Sequence, residues 1–103
     1  MKMTILFLSC ANKKEADLIV ESLLKKKLIA CAKRTPISSA YRWKGKIESG
    51  CEVLLLMETV EEKFDAIERE VGTLHSYETF VLLSVPVNRV SKGVEKWMRE
   101  GLK

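Results

Sequence analysis

The chain has few of the residues that common catalytic and metal-binding motifs require. It contains one histidine, His75, and nothing around it indicates a catalytic triad. Its five glycines are scattered along the chain, so none of them builds a phosphate-binding loop. No Cys-x-x-Cys or His-x-x-x-His pair is present, which argues against a structural zinc site. We therefore expect a protein that is not an enzyme.

Long apolar runs are also absent, and none approaches the roughly 20 residues that a membrane-spanning helix needs. The first ten residues superficially resemble a signal peptide, but their apolar run is short and a charged, amphipathic segment follows at once. We interpret them as a first strand and expect a cytoplasmic protein with no membrane contact. The three cysteines are odd in number and widely spaced, which predicts free thiols.

Size and charge predict an ordinary globular domain. The 103 residues are enough for one core but not for two, so residues 1–103 should form a single domain. The net charge of +4 is mild and its cations are spread along the chain. Lys25, Lys26 and Lys27 cluster at a predicted helix end, where they complement the helix dipole, so nucleic acid is not needed to explain them.

Apolar periodicity predicts the order β-α-β-β-α-β, followed by a C-terminal helix. Asn12 with Glu15, Thr59 with Glu62, and Ser91 are the expected helix starts. The first helix should end near Lys27, and Pro86 should stop the fourth strand. The strands are expected over residues 3–10, 28–43, 47–58 and 80–85, with a bend, bulge or edge position at Pro36.

This order predicts an α+β fold, the ferredoxin-like sandwich of a four-stranded antiparallel sheet with two helices on one face. Lys44-Gly45 is a plausible two-residue turn between the second and third strands. The resulting hairpin is long for a small domain, so its tip should project beyond the core. Projecting strands have unpaired edges, which predicts that a partner covers them.

Several segments together resemble the CutA family of divalent-cation tolerance proteins. The resemblance covers nearly the whole chain, and the pairing of Tyr-x-Trp-x-Gly with His-x-Tyr-Glu is specific to it. The matching segments are Leu28-Ile29-Ala30-Cys31, Tyr41-Arg42-Trp43-Lys44-Gly45-Lys46, Glu52-Val53-Leu54-Leu55-Leu56, His75-Ser76-Tyr77-Glu78 and Trp97.

The resemblance implies a ferredoxin-like protomer that assembles into a stable homotrimer similar to the PII signalling proteins. In such trimers the long hairpin of one subunit extends the sheet of its neighbour. The resemblance further implies a role in tolerance of copper and other divalent cations, with copper binding and no assigned reaction.

The chain departs from the family pattern at several positions. The family usually has prolines where Ser76 and Phe80 stand, so this backbone is less constrained. It usually has asparagine at the position of Lys33 and lysine at that of Glu58. Contacts that those residues make in relatives are therefore not carried over to this chain.

The candidate metal ligands are His75, Glu78 and Cys10, and the cation would be copper or another divalent ion. For each of them a structural role stays open: a hydrogen-bonded histidine, an ion-paired glutamate and a packed thiol. Tyr77 is expected at a ligand cleft or as a packed residue.

Tyr41 and Trp43 share one face of the hairpin. They are expected as a core anchor, as a subunit contact or as the lining of a cleft between subunits. The function expected from all of these observations is that of a trimeric binding or signalling protein. The alternative is a trimeric scaffold for a protein partner, with incidental metal binding.

Overall fold

The computed structural model describes all 103 residues. Seven regular elements follow one another in the predicted order, and a short 3-10 turn, Glu61–Lys63, precedes the second helix. The elements are β1 (Met3–Cys10), α1 (Lys13–Lys25), β2 (Cys31–Trp43), β3 (Lys46–Val60), α2 (Phe64–Leu74), β4 (Leu82–Pro86) and α3 (Val94–Gly101).

The four strands form one sheet in the order β2-β3-β1-β4, and every neighbouring pair is antiparallel. This arrangement confirms the predicted α+β, ferredoxin-like fold with its long hairpin and C-terminal helix. None of the three helices is both long and apolar enough to cross a membrane.

The core lies between the sheet and the first two helices. Burial alternates strictly along β1, so Leu6, Leu8 and Cys10 point into the core while the residues between them are only half-buried. Helices α1 and α2 close this core with apolar residues at helical spacing, among them Ile19 and Ile67.

The predicted helix starts are confirmed only for α1. The Asn12 side chain accepts a hydrogen bond from the Glu15 amide at 2.9 Å. Thr59 does not cap a helix, because its hydroxyl donates to the carbonyl of Leu28 at 2.6 Å. The prediction of Ser91 as a cap is also wrong: α3 begins at Val94, and its N-cap is Gly93, which has a positive φ of 85° and no side-chain hydrogen bond.

β2 runs unbroken through Pro36 because it is the edge strand, where a residue without an N–H can be tolerated. The edge alternative for Pro36 is therefore confirmed. β2 starts at Cys31 and not at Leu28, since Lys27 adopts a positive φ of 56° and the chain turns there.

The hairpin projects as predicted. Residues 37–52, here called the arm, pair only with each other, because β1 pairs with β3 from Val53 onwards. Lys44 and Gly45 form the turn with positive φ angles of 50° and 78°. The radius of gyration is 14.3 Å, above the roughly 13 Å of a compact chain of about 100 residues.

The sheet face that points away from α1 and α2 remains partly uncovered. Val81, Leu83 and Val85 are 55%, 55% and 45% exposed, respectively. In the register, Leu83 pairs with Phe7 of β1, which is only half-buried. An apolar sheet face of this kind is costly to leave in water.

Candidate functional site

Three chain segments meet where β1 ends: the last residues of β1, the first turn of α1 and the loop after α2. They bring together Cys10, Glu15 and His75, whose possible ligand atoms all lie within 4.8 Å of one another. We call these three residues the Cys10–Glu15–His75 group. Two of its members, Cys10 and His75, were predicted from the sequence.

The imidazole of His75 is fully buried and both of its nitrogens are engaged. Nε2 lies 2.8 Å from the carbonyl oxygen of Ser9, and Nδ1 lies 3.1 Å from the amide nitrogen of Tyr77. Because a carbonyl accepts and an amide donates, Nε2 carries the proton and Nδ1 the lone pair. The ring also stacks on Phe80 at a centroid distance of 5.3 Å.

Glu15 holds the loop after α2 against the start of α1. Its Oε2 accepts a hydrogen bond from the Ala11 amide at 2.7 Å, and its Oε1 accepts one from the Ser76 amide at 2.6 Å. Burial raises the pKa of Glu15, but the hydrogen bonds from Ser76 and Ala11 and the nearby His75 outweigh it and lower the pKa. A proline at position 76 could not donate this bond.

The Cys10 thiol is buried and protonated. Burial, together with the nearby carboxylates of Glu15 and Glu52, raises its pKa to about 12. A thiol binds metal as the thiolate. Cys10 therefore requires a cation beside it before it can lose its proton near neutral pH.

Tyr77 joins the loop after α2 to the base of the arm. Its hydroxyl donates to Oε2 of Glu52 at 2.9 Å, and Ser39 on the opposite strand donates to Oε1 at 2.6 Å. We call the bond between Tyr77 and Glu52 the Tyr77 clasp. Burial and this bond to Glu52 raise the pKa of Tyr77 to about 12.

The other predicted site residues lie apart from this group. Glu78 is exposed and outside it, and Glu15 supplies its carboxylate instead. From its sequence position Glu15 is expected only as a helix-capping residue, and no sequence pattern connects it with His75. Tyr41 and Trp43 are 49% and 58% exposed on the arm, so they do not anchor the core of their own chain.

The donor atoms of the Cys10–Glu15–His75 group fit a divalent cation chemically. Thiolate, carboxylate and imidazole are all ligands of Zn(II), and imidazole and thiolate also suit copper ions. Nδ1 of His75 lies 3.8 Å from Oε2 of Glu15. The bond from Nε2 to the Ser9 carbonyl is the support that metal-bound histidines commonly have. To bind a cation, the Cys10 thiol must lose its proton, and Nδ1 of His75 must lose its hydrogen bond from the Tyr77 amide.

The chain is similar over nearly its whole length to proteins of one family, although it spans only about half the length of several of them. Residues 4–101 match the family described as CutA1 divalent ion tolerance protein. The divalent-cation tolerance protein CutA of Archaeoglobus fulgidus is 36% identical over 95 residues, which cover 92% of this chain and 93% of that one.

Two further comparisons agree. The human protein CutA is 35% identical over 95 residues, which cover 91% of this chain but only 53% of the human protein. A solved structure described as the periplasmic divalent cation tolerance protein CutA from Archaeoglobus fulgidus has a TM-score of 0.95 and 34% identity, and the match covers 98% of this chain and 99% of that one. The chain therefore belongs to the CutA1 divalent ion tolerance family, as its motifs predicted.

Proposed function

We propose that this chain is a homotrimeric, PII-like binding or signalling protein that acts in divalent-cation tolerance. It would hold a divalent cation, copper among the candidates, or a small ligand in clefts between its subunits. The observations that carry the proposal are the projecting arm, with its exposed Tyr41 and Trp43, and the partly uncovered apolar face of the sheet.

Assembly is supported by the two open edges of the sheet, β2 and β4. Pairing of the β2 edge of one copy with the β4 edge of the next is a head-to-tail contact, which forms a ring when the rotation between successive copies closes. The arm lengthens β2, so it would reach across the neighbour and cover part of the exposed apolar face. Tyr41, Trp43 and Tyr77 would then line the contact or the cleft. That the ring contains three copies is what the resemblance to the CutA family implies.

Cation binding is supported by the geometry of Cys10 and His75, with Glu15 as a third ligand. Glu78 remains a proposed ligand, because its exposed carboxylate is available to a cation in a cleft that a neighbouring subunit completes. We also propose that the protein acts without catalysing a reaction, without nucleic acid or membrane partners, and in the cytoplasm.

Assembly is tested by light scattering of the purified chain, for which we expect the mass of three chains. Leu83→Lys places a charge on the apolar face and should reduce that mass to one chain. Leu18→Lys is the matched control, since Leu18 is similarly exposed, at 53%, on helix α1 and should leave the mass unchanged. A wild-type mass of one chain would contradict the proposed assembly.

Cation binding is tested by calorimetric Cu(II) titration of the reduced protein. We expect saturable binding that His75→Ala abolishes and Glu78→Gln weakens. Glu68→Gln is the control for removing an exposed carboxylate elsewhere. Binding that survives in His75→Ala unchanged would remove His75 from the proposed ligands.

A scaffold function is the second candidate. It is favoured by one observation: no buried side-chain nitrogen or oxygen lacks a hydrogen-bond partner, so the group is already satisfied without a cation. This alternative predicts weak, unselective metal affinity and a protein partner that copurifies when metal is removed with a chelator. Selective, His75-dependent binding would count against it.

A further inference from the structure

The lone pair on Nδ1 of His75 is taken by the Tyr77 amide, and the carboxylate of Glu15 lies near the same nitrogen. Nδ1 of the imidazole has a single lone pair, and the Tyr77 amide donates to it from 3.1 Å. Oε2 of Glu15 lies 3.8 Å from the same nitrogen. Nδ1 is therefore close to the Glu15 carboxylate, and one ligand atom from each of Cys10, Glu15 and His75 lies within 4.8 Å of the others.

Tyr77 connects His75 to the arm through two hydrogen bonds. Its amide binds His75, while its hydroxyl binds Glu52 at the base of the arm. Glu52 is also held by Ser39 on β2, so both strands of the arm base connect to this one loop residue. Any movement of the Tyr77 backbone thus acts on the segment that we propose as a subunit contact.

We propose that a cation and the Tyr77 amide compete for Nδ1 of His75, so that cation binding at Cys10, Glu15 and His75 releases the Tyr77 clasp on the arm. The inference rests on the cation binding of the proposed function and adds its regulation. One nitrogen lone pair cannot accept an N–H and bind a cation at the same time.

The surrounding contacts allow this exchange with little other change. Nε2 can keep its bond to the Ser9 carbonyl, and Oε1 of Glu15 can keep its bond to the Ser76 amide. Tyr77 is the residue that must move, and it is 39% exposed on the surface, where movement does not disrupt the core. The absence of proline at position 76 leaves this loop the backbone freedom to move.

The test is a zinc titration of the reduced, intact protein, because Zn(II) does not oxidise its thiols. Tyr77→Phe removes the hydroxyl that bonds Glu52. The Tyr77 amide is then held less firmly against Nδ1 of His75, so it competes less with zinc and the zinc affinity should rise about tenfold. Ser38→Ala is the control: it removes an exposed hydroxyl of the arm outside the Tyr77 clasp and should leave the affinity unchanged. In the wild type, zinc should accelerate hydrogen exchange of the Tyr77 amide.

The outcomes separate the two proposals. Equal zinc affinity in wild type and Tyr77→Phe, with unchanged exchange of the Tyr77 amide, would overturn the competition and leave cation binding intact. Absence of zinc binding, or binding that persists in His75→Ala, would overturn the competition together with the proposed cation site. The proposed trimer is tested separately, by the light-scattering mass of the purified chain.

Discussion

Lys33 and Glu58 form an ion pair diagonally across β2 and β3, with 2.7 Å between Nζ and Oε1. The resemblance to the CutA family implies asparagine and lysine at these two positions. The hydrogen bond to Glu58 raises the pKa of Lys33. Lys33 and Glu58 lie 25 residues apart in the sequence but form one ion pair in the structure.

We expect the two charges to be coupled energetically. Glu58→Lys alone places like charges side by side and should lower the free energy of unfolding by about 0.5–1 kcal/mol, because the pair is partly exposed. The double variant Lys33→Glu with Glu58→Lys should recover most of that loss. Denaturant unfolding of the wild type, Lys33→Glu, Glu58→Lys and the double variant gives the coupling, and strictly additive effects would show that the pair contributes nothing.

The buried carboxylate of Glu15 should make the fold sensitive to acid. Its pKa is lowered in the folded protein from a usual value of 4.5, so its stabilisation is present above that pH and is lost as the pH falls below it. Glu15→Gln should cost about 1–3 kcal/mol at neutral pH, since two backbone amides lose a charged acceptor.

Unfolding measured across the acidic range should therefore depend less steeply on pH in Glu15→Gln than in the wild type. Glu21→Gln is the control, because Glu21 is 63% exposed in an ion pair with Lys25 on the surface of α1. An equally steep acid dependence in Glu15→Gln would mean that other carboxyl groups are responsible.

The three thiols should differ widely in reactivity. With a pKa of about 12 and no exposure, Cys10 should resist iodoacetamide in the folded protein, whereas Cys51 is exposed on the arm. Mass spectrometry after timed alkylation should find Cys51 modified first and Cys10 modified only in denaturant. In Cys51→Ser the fastest modification should disappear, and rapid labelling of Cys10 would disprove its burial.

The hairpin turn should depend on Gly45. A side chain at its positive φ of 78° is strained, so Gly45→Ala should lower the free energy of unfolding by about 1–2 kcal/mol. Gly50→Ala is the matched control in the arm, where no atom lies within 4 Å of an added Cβ and φ is not positive. There alanine should be neutral or stabilising. Equal losses at both positions would argue against the turn geometry.

Local patterns predicted those features that depend on neighbours in sequence. The order of elements follows from apolar periodicity, the α1 cap from Asn12 and Glu15, and the turn from Lys44-Gly45. Capping failed at Thr59 because its hydroxyl finds the carbonyl of Leu28, 31 residues away. A hydroxyl bonds the nearest suitable acceptor in space, and the sequence does not show which one that is.

The sequence by itself determined the fold, the family and two of the three residues of the buried group, Cys10 and His75. Only the tertiary structure decided that Glu15 joins them, because the sheet and the helices bring the start of α1 against a loop about 60 residues further along the chain. It also decided that the lone pair of His75 is already engaged by Tyr77. Both outcomes depend on contacts between distant segments, which form only when the core packs.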